Sequence, residues 1–76
     1  MTRFVVCIDN EGYEVDLVRG KLYEIIDDHH AVQNGMVRIV SEDGDDYLYG
    51  VNRFIEIDVP QQVVFALSSM RRNRKK

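Results

Sequence analysis

Seventy-six residues make one small domain, with apolar residues at 45% and charged residues at 30%, the ordinary balance of a globular chain. All thirteen acidic residues lie in residues 1–70 beside only five basic ones, which leaves −8 there, and the five basic residues of 71–76 bring the net charge to −3. One cysteine excludes an internal disulfide, and the longest apolar run outside the strands (residues 63–67) is far short of the ~20 residues of a membrane-spanning helix.

The amino-terminal residues lack the length and small-residue cleavage site of a signal peptide, and with the lone cysteine this leads to an expected cytoplasmic location. Residues 3–8 read as the first strand, with Phe4, Val6 and Ile8 on one face and Val5 and Cys7 on the other. Both faces are apolar, so the strand is expected to be covered on both sides. Asp9-Asn10-Glu11-Gly12 is a turn signal. Residues 13–19 have no clean period and read as a long loop anchored by Tyr13, Val15 and Leu17.

Residues 22–27 form the second expected strand, with Tyr23 and Ile25 facing one way and Leu22, Glu24 and Ile26 the other. Residues 28–35 make a polar connector with room for a short helical turn, closed by Asn34-Gly35. Residues 35–49 read as one β-hairpin. Met36-Val37-Arg38-Ile39-Val40 is rich in β-branched residues, Glu42-Asp43-Gly44-Asp45 is turn chemistry, and Asp46-Tyr47-Leu48-Tyr49 returns to alternation, with Ile39 expected inside. Residues 50–53 allow no more than a 3₁₀ turn. Residues 54–58 are the fifth expected strand, with Ile55 and Ile57 inward and Glu56 and Asp58 outward.

Pro60 suits the start of a helix, where a missing N–H costs nothing, and Val63, Leu67 and Met70 share a face with Ala66 beside them. The expected architecture is all-β: a small five-stranded SH3-like barrel over residues 1–58, a short carboxy-terminal amphipathic helix over 59–70 and a disordered basic tail at 71–76. An OB-fold is the competing topology, but the turn at 42–45 leaves no room for the helix that fold places between its third and fourth strands.

The pattern Leu17-x-x-Gly20-Lys21-x-Tyr23-x-Ile25, Gly35-Met36-x-Arg38-x-Val40, Gly44-x-Asp46-Tyr47-Leu48-Tyr49 and Arg53-Phe54 resembles a family of small uncharacterised bacterial proteins. The resemblance covers about residues 4 to 58 and implies an SH3-like β-barrel of this length. It brings no activity with it.

Five features are candidate sites. Asp27-Asp28-His29-His30 contains an Asp-His-His signature of metal-dependent phosphoesterases, but those enzymes use ligands spread over a longer chain and there is no other His here. A solvated polar connector is the expected reading, with no metal and no cofactor. Glu42, Asp43, Asp45 and Asp46 miss the calcium-loop spacing and read as a solvated turn. Cys7, mid-strand among apolar residues, reads as a small buried hydrophobe. Of the four tyrosines, Tyr13, Tyr47 and Tyr49 are the candidates for a partner-binding groove, while Tyr23 belongs to the same aromatic set. The absence of tryptophan argues against polyproline recognition. Arg71, Arg72, Arg74, Lys75 and Lys76 are the candidates for contact with a polyanion. No acid–base pair, activated nucleophile or phosphate loop is legible, so no catalytic residue is expected. The expectation is therefore a non-enzymatic module with a protein partner, and the alternative is accessory nucleic-acid binding through the basic tail.

Overall fold

The computed structural model describes residues 3–74. Its strands are β1 (Arg3–Cys7), β2 (Leu22–Ile26), β3 (Met36–Val40), β4 (Asp46–Gly50) and β5 (Phe54–Ile57); its α-helices are α1 (His29–Gln33) and α2 (Gln61–Arg74), and a 3₁₀ turn spans Val51–Arg53. All pairings are antiparallel and the sheet order is β4-β3-β2-β1-β5. The ladder does not return from β5 to β4, so the sheet is open where a barrel was expected. The 3₁₀ turn carries the chain away from β4 to pair with β1, which puts two strands adjacent in sequence at opposite edges of the sheet.

Local chemistry accounts for the β3–β4 hairpin. Gly44 takes φ +88°, a left-handed conformation that costs a residue with a Cβ about 1–2 kcal/mol. Asp43 binds the turn together: its Oδ1 accepts from Ser41 Oγ (3.0 Å) and from the Asp45 amide (2.9 Å), and its Oδ2 accepts from the Tyr47 hydroxyl (2.7 Å). Those bonds fix which residue ends β3 and which starts β4. The register Val37↔Tyr49 and Ile39↔Tyr47 follows.

Val5, Cys7, Leu17, Tyr23, Ile25, Val37, Ile39, Tyr49 and Phe54 form the core on one face of the sheet. Phe4 is buried on the opposite face of β1, but Val6 beside it is half-buried and Ile8, past the strand end, is 46% exposed, so that face is covered only in part. Two further expectations about burial are corrected. In β5 the phase is opposite to the expected one. The pairs Cys7↔Phe54 and Val5↔Glu56 put Phe54 on the core face, and Ile55, beside Val6 on the other face, is 52% exposed. In the long loop Leu17 is the only one of the three expected anchors to be fully enclosed, and Val15 is 91% exposed.

Helix α1 starts where Asp28 caps it, its Oδ1 accepting from the Ala31 amide at 3.0 Å. Helix α2 starts after Pro60, whose carbonyl accepts from the amides of Val63 (2.9 Å) and Val64 (3.1 Å). The basic tail was expected to be disordered from residue 71, but the helix continues through Arg74. Arginine is a good helix former, and cationic side chains near the negative end of the helix dipole are favourable. Lys75 and Lys76 lie outside the described residues. The apolar stripe of α2 is only partly covered: Val64 and Leu67 are half-buried, Val63 is exposed and Phe65 is 69% exposed. Among the described residues, no helix is long and apolar enough to cross a membrane.

Candidate functional site

The long loop (residues 9–19) and the hairpin turn (residues 41–45) meet beside the core. The Glu42 amide donates to the Asp16 carbonyl at 3.1 Å, which ties the two backbones directly. A second tie runs through Tyr23, whose buried hydroxyl accepts from the Val18 amide (2.7 Å) and donates to Glu42 Oε2 (2.5 Å). Glu42 also takes Lys21 Nζ at 2.6 Å. Burial, followed by the bond to the Glu42 carboxylate, pushes the Tyr23 phenol far above its ordinary range, so it stays a donor at any physiological pH.

Around this junction the tyrosines separate into two roles. Tyr49 is 2% exposed and belongs to the core, packed edge-on against Phe54 at 5.9 Å between centroids. It is therefore a support and not the partner-facing ring that the sequence suggested. Tyr13 stands edge-on to Tyr49 at 5.1 Å and is 39% exposed, and Tyr47, next but one to Tyr49 on the same face of β4, is 41% exposed. The Arg53 guanidinium lies 4.7 Å from the Tyr13 centroid, and its Nη1 donates to the carbonyls of Asp9 (3.2 Å) and Glu11 (2.9 Å). Arg53 thus fixes the loop that carries Tyr13.

The charge around Tyr47 is negative, while Tyr13 has the Arg53 guanidinium beside its ring. Donation to Asp43 pushes the Tyr47 phenol up to about 12, with Asp45 and Asp16 adding to the shift, and accepting that bond lowers the Asp43 carboxyl. Burial raises the Tyr49 phenol, and Asp16 adds to it. Asp16 is held at the hairpin turn through its carbonyl, which accepts from the Glu42 amide. Among the described residues, Asp16, Asp43 and Asp45 have no salt-bridge partner.

A concavity of about 220 Å³ opens elsewhere on the sheet above Val5, Ile25 and Phe54. Its rim charges neutralise one another: Arg3 pairs with Asp27 and Glu56, and Arg38 Nε donates to Asp28 Oδ2 at 2.8 Å. An apolar floor with a paired rim has little left with which to select a ligand.

The remaining candidates resolve into structural roles where they are described. Asp28 caps α1 and pairs with Arg38, and His29 and His30 sit within α1; the described residues hold no cluster suited to a metal ion. The Arg38 bond, followed by the Ala31 amide, holds the Asp28 carboxyl below the usual carboxylate range. A lowered carboxyl contributes stability that is present above its unfolded pKa and is lost as pH falls through the folded one. Asp28→Asn is therefore expected to lower the urea midpoint at neutral pH, with the gap to wild type closing on acidification. A gap that is the same at every pH would show that the cap matters and the charge does not.

Cys7 is buried in the core, and burial raises its thiol pKa, which keeps it a poor nucleophile. Of the polyanion candidates, Arg71, Arg72 and Arg74 belong to α2 by backbone, and Lys75 and Lys76 lie outside the described residues. Sequence reasoning missed Arg53 and the Tyr23 hydroxyl. The dipeptide Arg53-Phe54 was legible only as a pattern; nothing in its spacing signals that a guanidinium would reach back to a loop more than forty residues earlier. No known protein family, curated protein or solved structure shows a significant match to the chain.

Proposed function

We propose that the chain is a small SH3-like interaction module that binds an extended, cationic segment of a partner protein across Tyr13 and Tyr47. The SH3-like reading is supported by the order of parts: a long loop after β1, a tight turn between β3 and β4, a 3₁₀ turn before β5, and a β1 strand that pairs with both β2 and β5. The observation that carries the binding reading is the part-exposed Tyr47 ring amid Asp16, Asp43 and Asp45, carboxylates without a salt-bridge partner among the described residues, with the part-exposed Tyr13 ring on the adjoining loop. Tyrosine faces attract ammonium and guanidinium groups, and the carboxylates add long-range attraction. Both terms select Lys- and Arg-rich segments over acidic ones.

Fluorescence anisotropy with labelled Lys/Arg-rich peptides tests this. Saturable binding is expected at low salt, weakening as salt is added. Replacing both Tyr13 and Tyr47 by Ala is expected to weaken it about tenfold, or ~1.4 kcal/mol, the scale of two partly desolvated cation–π contacts. Equal affinity for the double variant and wild type would remove the tyrosines from the account. The second reading, polyanion binding through Arg71, Arg72, Arg74, Lys75 and Lys76, is favoured by a helix that carries the first three on one element. The same titration with labelled DNA and RNA separates the two, since four or five phosphate contacts impose a log–log salt slope of roughly −3 to −4.5.

A further inference from the structure

We propose that the open β4 edge pairs with the β4 edge of a second copy of this chain, antiparallel and centred on Leu48, so that one sheet runs through both copies. The inference starts from where the backbone groups of β4 point. The Ser41 amide donates to the Asp45 carbonyl at 2.9 Å, and the Val51 amide donates to the Gly35 carbonyl at 3.0 Å. Hydrogen-bonded pairs alternate along an antiparallel ladder, so Tyr47 and Tyr49 turn their N–H and C=O groups toward β3. Asp46, Leu48 and Gly50 must then turn theirs outward. Among the described residues, these outward groups meet no backbone or side-chain partner. Leu48 is 43% exposed, so the edge is open to solvent at its centre.

Natural sheets protect such edges with lysine, proline, a bulge or a very short strand. Asp46-Tyr47-Leu48-Tyr49-Gly50 has neither lysine nor proline, and every residue pairs with β3 in unbroken register. The other open edge, β5, is the poorer candidate for pairing with itself. The Ile8 amide donates to the Arg53 carbonyl at 2.8 Å, and the same parity turns Phe54 and Glu56 outward. A two-fold pairing centred on Glu56 would set two carboxylates opposite each other.

The β4 sequence is complementary to itself in one register. A two-fold axis at Leu48 sets Leu48 against Leu48 of the second copy on one face, Tyr47 against Tyr49 of the second copy on the other, and Asp46 against Gly50. Each outward N–H and C=O of Asp46, Leu48 and Gly50 gains a partner, and no two like charges are opposed. The antiparallel sense also places the acidic turn of one copy, with Glu42, Asp43 and Asp45, toward the end of the second copy that leads into Arg53. Parallel pairing would bring the two acidic turns together. Charge therefore selects the antiparallel orientation, and the self-complementary register selects a second copy as the occupant. The dimer shares Tyr47 with the peptide reading, but its test reads Leu48, which the peptide reading does not use, so the two readings fail separately.

Sedimentation velocity of the full chain over micromolar to near-millimolar concentration is expected to show a monomer–dimer equilibrium. Leu48→Lys and Leu48→Glu are each expected to weaken it about tenfold through like-charge opposition, and their equimolar mixture to recover it, because only this register sets the two substituted side chains face to face. Amide exchange gives an independent reading on unaltered protein. The Leu48 amide is expected to gain protection as concentration rises, while the Tyr47 and Tyr49 amides are protected throughout. A chain monomeric at every concentration, a dimer indifferent to Leu48→Lys, a mixture that fails to recover, or a Leu48 amide with concentration-independent exchange each overturns the proposal.

Discussion

Leu17→Ala is expected to cost about 2–5 kcal/mol, although Leu17 lies in a loop. A domain this small stands only ~5 kcal/mol or so above its unfolded state, so the variant should be partly unfolded at room temperature. Leu17 is among the fully enclosed side chains, packed with Val5, Cys7 and Tyr49 in one cluster. The surrounding backbone holds it there: its amide donates to the Tyr13 carbonyl at 2.8 Å, and its own carbonyl accepts from Asn10 Nδ2 at 3.0 Å. Truncation leaves a void that this bonded loop cannot collapse to fill, which puts the cost toward the upper end of the range. Val15→Ala, two residues away and almost wholly in solvent, should stay within ~0.5 kcal/mol. Urea titrations of the two variants check the contrast, and similar midpoints would show that the loop is not anchored where Leu17 enters the core.

That contrast marks how far the sequence alone reaches. Elements set by local chemistry are legible: the hairpin turn follows from Gly44 and its flanking aspartates, and a short helical turn after residue 28 follows from a polar connector that ends in Asn34-Gly35. Elements set by distant partners are not. Tyr13, Val15 and Leu17 are equally plausible anchors in a segment without a period, and only packing against β1 and β4 chooses Leu17. The extension of α2 to Arg74 was hidden for a related reason, since a run of like charges argues for disorder, whereas helix propensity and the helix dipole argue the other way. Sheet closure was out of reach as well: five short strands in the right order are compatible with a closed barrel or an open sheet, and the difference lies in whether the edge strands meet.

The candidate site shows the same division. The tyrosines were recognisable as a set, but alternation along β4 puts Tyr47 and Tyr49 on one face without saying which of them reaches water. Their neighbours decide it. Tyr49 lies beneath Tyr13 and beside Phe54, and Tyr47 lies nearer the turn with its hydroxyl held by Asp43. The loop-to-turn tie between Glu42 and Asp16, which brings the rings and carboxylates together, joins backbone atoms and so leaves no trace in residue identity.

A buried residue of β3, set against the phase of β5, supplies the second large expected effect. Ile39→Ala should cost ~2–5 kcal/mol, because Ile39 is fully enclosed on the core face and pairs across β3 with both Ile25 and Tyr47. Ile55→Ala should cost under about 1 kcal/mol, the loss expected of an average substitution, because the Val6↔Ile55 pair faces away from that core and half of Ile55 is in solvent. A phase with Ile55 and Ile57 inward makes the opposite forecast, with Ile55 costly and Phe54 tolerant. Such a phase is plausible from sequence because the Ile55/Ile57 alternation is wholly apolar, whereas the Phe54/Glu56 alternation carries a carboxylate. Pairing decides between them: Cys7 belongs to the core, Phe54 lies opposite Cys7, and Phe54 therefore turns inward with Ile55 on the reverse face. Denaturant titrations of Ile39→Ala, Ile55→Ala and Phe54→Ala measure the phase directly, with the first and third expected to lose several kcal/mol and the second little. If Ile55→Ala proves as costly as Ile39→Ala while Phe54→Ala is silent, the β1–β5 register is off by one residue and Phe54 is on the outside.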